Sequence, residues 1–193
     1  MKIFFATSNK AKVEWAQAAL KKYGLEVVQL EMELVESRHE DPAEIALEKA
    51  QQAYALIKKP LMVEDGGFFI EALNGFPMTH VKFSLKTVGM SGIMKLLKGE
   101  KNRKAEWRMT VALVLSNKKH RTFTFVDRGE IAKRVRPVKR KCMSDYWRIY
   151  IPKMIPNDLA LSEISGEDIR RWDRYYNSHN QYQKMGQWLS KNK

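Results

Sequence analysis

The chain has 193 residues, 44% of them hydrophobic and 10% aromatic, and carries 35 Lys and Arg against 22 Asp and Glu. That apolar content excludes intrinsic disorder, no run of about 18 apolar residues exists to form a transmembrane helix, and the length suits one domain. A single cysteine, Cys142, excludes an internal disulfide framework and a Cys-rich zinc site, and points to a reducing, cytoplasmic setting.

The predicted elements alternate between strand and helix. Lys2 to Thr7 reads as a short buried strand through Ile3, Phe4, Phe5 and Ala6, and its start lacks the basic-then-apolar order of a secretory leader. Ser8 and Asn9 supply cap chemistry for a helix from Lys10 to Tyr23, whose Val13, Ala16, Ala19 and Leu20 recur at helical spacing before Gly24 stops it. Leu25 to Leu30 is a second strand, followed by an acidic stretch from Glu31 to Asp41. Asp41 and Pro42 then cap and open a helix that runs to about Lys58. Leu61-Met62-Val63 predicts a strand ending at Glu64-Asp65-Gly66-Gly67, with Phe68 to Leu73 apolar beyond it and a turn at Asn74 to Pro77. Gly89 to Leu97 reads as a short helix. Arg108 to Leu115 and Arg121 to Ile131 read as a strand pair, Tyr146 to Ile151 as another strand, and Ile164 to Trp188 as one aromatic-rich helix. The order implies an α/β fold with a mixed sheet and no separable linker, taken as a single domain over residues 1–193.

Charge is distributed unevenly. Residues 1–96 hold 12 basic and 12 acidic side chains, whereas residues 97–193 hold 23 and 10. The whole excess of +13 therefore sits in the second half, including six basic residues in the nine from Lys133 to Lys141. Such a half meets an anion, or is a solvated face. With Tyr146, Trp147 and Tyr150 nearby the run also suits single-stranded nucleic acid, although a solvated loop is the favoured reading.

Two segments carry chemistry. A strand, then Thr7-Ser8-Asn9, then a helix bearing Lys12 is a phosphate cradle in outline, because helix N-terminal amides and a lysine both attract an anion. By itself the segment is equally an ordinary helix cap. Glu64 and Asp65 beside a glycine turn suit Mg²⁺, which prefers oxygen ligands, and an acidic turn is the plain alternative. The four histidines show no metal-ligand spacing, which argues against zinc. Cys142 lies among basic residues that favour a thiolate, but no base accompanies it and it is assigned no role.

Taken in order, these segments resemble the inosine triphosphate pyrophosphatase family, the non-canonical purine nucleoside triphosphate pyrophosphatases. Phe5-Ala6-Thr7-Ser8-Asn9 followed by Lys12 is similar to its Phe-Ala-Thr-Gly-Asn-x-x-Lys signature, and Val63 to Pro77 is close to its Val-Glu-Asp-[Ser/Thr]-Gly-Leu-Phe-Ile-Glu-Ala-Leu-Asn-Gly-Phe-Pro block. The similarity is strong over residues 1–100 and weaker beyond. It implies a long mixed central sheet bridging two lobes with a nucleotide cleft between them, a homodimer, and Mg²⁺-dependent hydrolysis of the α–β phosphate bond to give a nucleoside monophosphate and pyrophosphate. The implied substrates are deaminated purine nucleotides such as ITP, dITP and XTP. By the same resemblance Thr7, Ser8, Asn9 and Lys12 bind phosphate, with Glu64 beside them. Lys49 and Lys12 steady the triphosphate, Asp65 is the catalytic carboxylate, and Glu36 with Asp65 holds the metal.

The departures lie mostly in the second half. Gly66 stands where the family has Thr or Ser, and Met78 where it has Gly. The family's aromatic Asp-Pro stretch aligns with Ser144 to Tyr150, which places Trp147 and Arg148 at the Asp-Pro. The family's Ser-His-Arg becomes Ser178-His179-Asn180. Trp147, Ser178 and His179 are the residues expected at the base, and the replacements predict altered base selectivity.

Overall fold

The computed structural model describes residues 1–192. In chain order the elements are β1 (Lys2–Ala6), α1 (Lys10–Leu20), β2 (Glu26–Leu30), α2 (Pro42–Ile57), β3 (Leu61–Ile70), β4 (Pro77–Met78), α3 (Val81–Thr87), α4 (Gly89–Leu96), β5 (Lys104–Ser116), β6 (Lys119–Ile131), β7 (Tyr150–Pro152), α5 (Gly166–His179) and α6 (Gln181–Lys191). The strands form a mixed seven-stranded sheet in the order β2-β1-β3-β5-β6-β7, with β4 paired to β3. β1 is parallel to β2 and β3, while β3–β4 and β6–β7 are antiparallel. The two-residue connection between β5 and β6 makes them a hairpin. Among the described residues no helix is long and apolar enough to cross a membrane.

The chain divides into two compact units, one built from residues 1–66, 109–125 and 177–193, the other from residues 67–108 and 126–176. The first is a three-layer sandwich, and the alternation of side chains along its strands explains why. Ile3, Phe5, Val111 and Leu113 pack with Val13, Ala16 and Leu20 of α1 and with Tyr182, Met185 and Leu189 of α6. Their neighbours Ala6, Ala112 and Val114 face the other way, onto Ala46, Ala50 and Ala53 of α2. Small alanines along one face of α2 let that helix lie close to the sheet. Gly186 lets α6 lie close to the turn that follows α1, since a Cβ there would run into the Tyr23 ring.

The second unit is organised around aromatic side chains. Phe68 lies 4.7 Å from both Trp107 and Tyr146 and meets Tyr150 edge-on at 5.6 Å. The Tyr146 hydroxyl is paired with the Ser84 hydroxyl at 2.9 Å, which ties α3 to this core. The Trp172 and Tyr176 rings stack, and Trp147 meets Trp172 edge-on at 5.9 Å.

Four expectations change. β3 does not end at Glu64-Asp65-Gly66-Gly67 but runs through it to Ile70. Gly67 permits this, because a Cβ there would meet the Met78 carbonyl oxygen at 2.7 Å and the Phe69 ring at 2.8 Å, so β4 can close on β3 only over a glycine. β5 begins at Lys104, before the expected Arg108. The expected strand at Tyr146 opens instead as a 3-10 turn over Asp145–Arg148, capped by the Ser144 hydroxyl, and only Tyr150–Pro152 pairs as β7. The single C-terminal helix is two, α5 and α6, interrupted at Asn180. Its extended backbone and side chain, accepting from the Gln183 N–H at 3.0 Å, start a new helix.

Candidate active site

The first unit gathers most of the residues singled out above. β1 leads into Thr7, whose hydroxyl accepts the Asn9 N–H at 3.1 Å. Asn9 in turn caps α1, its Oδ1 accepting from Ala11 N–H at 3.0 Å and Lys12 N–H at 3.3 Å. Both side chains thus shape the turn and present an exposed, positive helix N-terminus, with Ser8 solvent-facing between them.

From the first turn of α1, Lys12 reaches to β3. Its Nζ lies 3.3 Å from the Glu64 carbonyl oxygen and 3.4 Å from Glu64 Oε1. The other oxygen of that carboxylate, Oε2, accepts a hydrogen bond from the hydroxyl of Tyr182 on α6. The Glu64 side chain is only 6% exposed. A carboxylate so buried needs its charge offset, and Lys12 and Tyr182 do this together. Glu64 is thereby an anchor that points Lys12, with both oxygens engaged.

One residue further along β3 the pattern repeats with α2. Lys49 Nζ sits between Glu36 Oε2 at 2.7 Å and Asp65 Oδ2 at 2.9 Å. Asp65 Oδ1 accepts the Gly66 N–H at 2.8 Å. Burial works against the charge on Lys49, but its hydrogen bond to Glu36 and its attraction to Asp65 outweigh that, and its pKa is raised above the ordinary value. The ammonium stays charged at any physiological pH.

Sequence reasoning missed two residues. Gln52, one helical turn beyond Lys49, clamps the backbone of Val35: its Oε1 accepts the Val35 N–H and its Nε2 donates to the Val35 carbonyl, both at 3.0 Å. That clamp holds the 31–41 segment so that Glu36 reaches Lys49. The three-residue spacing of Lys49 and Gln52 on one helix face was the available signal. Tyr182 had none, because its partner lies 118 residues away. Tyr182→Phe removes the hydroxyl and leaves buried Glu64 short of a donor. We expect a fall in kcat/KM of about tenfold, since a hydrogen bond to a charged group contributes about 1.5 kcal/mol or more. Unchanged kinetics in Tyr182→Phe would deny Glu64 its anchoring part.

The remaining expected residues are placed as follows. Ser178 and His179 are exposed in the last turn of α5. Trp147 belongs to the second unit, is 8% exposed, and carries the Arg140 guanidinium 5.5 Å from its ring centroid. Arg148 Nε donates to the Arg136 carbonyl at 3.2 Å. Asn180, at the family's arginine position, is buried and serves as the cap of α6. Desolvation raises the Cys142 thiol pKa despite Arg140 nearby, against the thiolate expected from the basic surroundings. Among the described residues no cluster of three or more His, Cys, Asp or Glu is placed to hold a metal alone. Glu36 and Asp65 nonetheless converge on one cation, the Lys49 ammonium, and present the hard oxygen donors that Mg²⁺ takes alongside phosphate and water oxygens.

Comparison with known proteins places the chain in a family. The model of the Ham1 family matches residues 3–173. A dITP/XTP pyrophosphatase of Methanopyrus kandleri is 40% identical over 168 residues, covering 87% of each chain. Another, of Pyrococcus horikoshii, is 34% identical over 132 residues, covering 68% of this chain and 70% of its own. The solved structure of the Staphylococcus aureus Ham1 protein superposes over the whole of both chains with a TM-score of 0.78 at 17% identity, which shows a shared fold. With most of its length matched by the family model and 40% identity to a relative covered almost end to end, the chain belongs to the Ham1 family.

Proposed function

We propose that the protein is a nucleoside triphosphate pyrophosphatase that hydrolyses the α–β phosphate bond of non-canonical purine nucleotides of the dITP/XTP kind. The observation that carries this is the pairing of two lysine–carboxylate sets on adjacent residues of β3, Lys12 with Glu64 and Lys49 with Asp65, beside the N-terminus of α1. A triphosphate needs cations along its length and a carboxylate to take a proton from water, and Lys12, Lys49 and Asp65 support that reading. The names of the relatives at 40% and 34% identity support the same substrate class.

In this reading the α1 N-terminus with Thr7, Ser8 and Asn9 receives phosphate oxygens, and Lys12 adds charge from a position set by Glu64. Lys49 contacts the phosphate chain from the other side. Asp65 accepts a proton from water as the water oxygen bonds to the α-phosphorus; the bond from that phosphorus to the bridging oxygen breaks, and pyrophosphate leaves with the electron pair. Glu36 and Asp65 would hold Mg²⁺, which would offset charge on the phosphoryl oxygens. Ser178 and His179, exposed at the end of α5, contact the base, whereas Trp147 is spent in the core of the second unit. The two units act as one domain of a cytoplasmic homodimer, a reading supported by the family alone.

Pyrophosphate release is measured across canonical, deaminated, oxidised and pyrimidine triphosphates, with Mg²⁺ and after chelation. Release from dITP and XTP at least about tenfold above ATP and GTP in kcat/KM, abolished by chelation, is the expected result; roughly 1.4 kcal/mol at the base is enough for that preference. Orthophosphate as the product, or equal turnover of every nucleotide, would overturn the proposal.

A further inference from the structure

The second unit holds a basic cavity of about 770 Å³ that the proposed chemistry does not use. Its walls carry Lys95, Lys98, Lys101, Lys133 and Arg134, with Glu100 as the single acid. All five cations are exposed, and among the described residues none of them forms an ion pair. Three arginines elsewhere in this unit are paired instead: Arg108 and Arg128 with Glu106, and Arg136 with Asp158 and Glu163. Five unpaired cations thus gather where two segments meet, while Lys82, Lys86 and Lys153 stand apart on the surface.

The frame beneath them is fixed. Arg103, also in the lining, spends its guanidinium on backbone: Nε donates to Ile131 O at 3.1 Å, Nη1 to Leu97 O at 3.0 Å and Nη2 to Ala132 O at 2.7 Å. It therefore rivets the turn after α4 to the end of β6, which brings the 95–101 wall and the 133–134 wall to one place. Crowding five like charges costs free energy unless an anion offsets it.

The ligand class follows from what the cavity lacks. No aromatic side chain lines it, so no base can stack there. The aromatics near the basic run in sequence are core residues, Tyr146 and Tyr150 fully buried and Trp147 nearly so, which removes the stacking platform that the sequence suggested. Arg136 and Arg140 are likewise spent within the unit, while Lys139 and Lys141 stay exposed further along the run. We infer that this cavity is a second anion site, separate from the lysine–carboxylate site on β3, and that it binds the phosphodiester backbone of nucleic acid without reading bases.

Fluorescence anisotropy of a labelled 20-nucleotide single strand, titrated with the whole protein between 50 and 200 mM salt, tests this. Expected are similar affinities for unrelated base sequences and a steep fall with salt. Lys98→Glu/Lys101→Glu should weaken binding about tenfold or more and lower the salt slope by roughly 1.4, the share of two phosphate contacts on a single strand. Lys133→Glu/Arg134→Glu, from the other wall, should do the same. Lys21→Glu/Lys22→Glu changes net charge equally in the first unit and should bind like the unmodified protein, with thermal melting confirming that all three fold. Equal losses in all three variants, no loss in the cavity variants, or binding of inorganic polyphosphate without binding of the oligonucleotide would each overturn the inference.

Discussion

Asp65→Asn lowers kcat for pyrophosphate release by about a thousandfold, within the range expected for removal of a general base. The substitution suits the question because Asn keeps the size and one carbonyl oxygen of Asp. That oxygen can still accept from the Gly66 N–H, as Asp65 Oδ1 does at 2.8 Å, or from Lys49, now 2.9 Å from Oδ2. The pair is largely shielded, with Lys49 15% and Asp65 14% exposed, and removing a partner outright from such a pair costs several kcal/mol. The amide avoids most of that cost, so melting of the variant stays close to that of the unmodified protein. What it cannot do is take a proton from water. In the proposed reading its weaker hold on Mg²⁺ also raises the metal concentration needed for half-maximal rate. Single-turnover kinetics at saturating Mg²⁺ separate the two effects. A kcat within threefold of the unmodified value there would remove Asp65 from the role of base.

Stability falls as pH rises from about 4 to 7, and Asp127→Asn abolishes that fall. Asp127 lies on β6 in the second unit with 3% of its surface exposed. Burial pushes its carboxyl up to about 7, only partly opposed by the Trp172 indole N–H and by Tyr150. The Trp172 nitrogen is buried and closes no well-formed hydrogen bond, so its help is electrostatic, and burial dominates. In the unfolded chain the same carboxyl titrates near 3.9. Between those values the unfolded chain has lost the proton and the native protein has kept it. The unfolded state binds fewer protons, and its free energy drops relative to the native state with each pH unit. Three units at 1.36 kcal/mol each set an upper scale of about 4 kcal/mol, lost by pH 7 and constant above it. Asn is neutral throughout, fills the same space and can accept from Trp172. Urea unfolding at pH 4.5, 6 and 8 should show the variant matching the unmodified protein at the lowest pH and exceeding it at the highest. Parallel pH dependence in the two proteins would mean that Asp127 is ionised in the native state.

How much of this was legible in the chain can be judged from particular residues. Local chemistry was readable wherever it is completed within one turn. Thr7-Ser8-Asn9 announces the cap of α1 and Asp41-Pro42 the start of α2, and both are found, because a side chain satisfying an amide two or three residues on needs no tertiary partner. The resemblance carried by Val63 to Pro77 was specific enough to predict the Ham1-type fold. It also brought Lys12, Lys49, Glu64 and Asp65 forward before their geometry was known, although they lie on three separate elements.

By itself, then, the sequence determined the caps, the apolar strands, the family and the residue types on which phosphate chemistry depends. Tertiary structure decided the rest, for reasons of distance and burial. Glycines that look like a turn sit inside β3 because β4 approaches them across the sheet. Asn180 starts a helix and Trp147 fills a core, uses that composition does not distinguish from ligand binding. Tyr182 reaches Glu64 only once α6 has packed on the first unit's sheet. The second unit spends some of its cations on acids, carbonyls and rings and gathers five others at one cavity, and that grouping exists only after Arg103 has joined two remote segments by their backbone carbonyls.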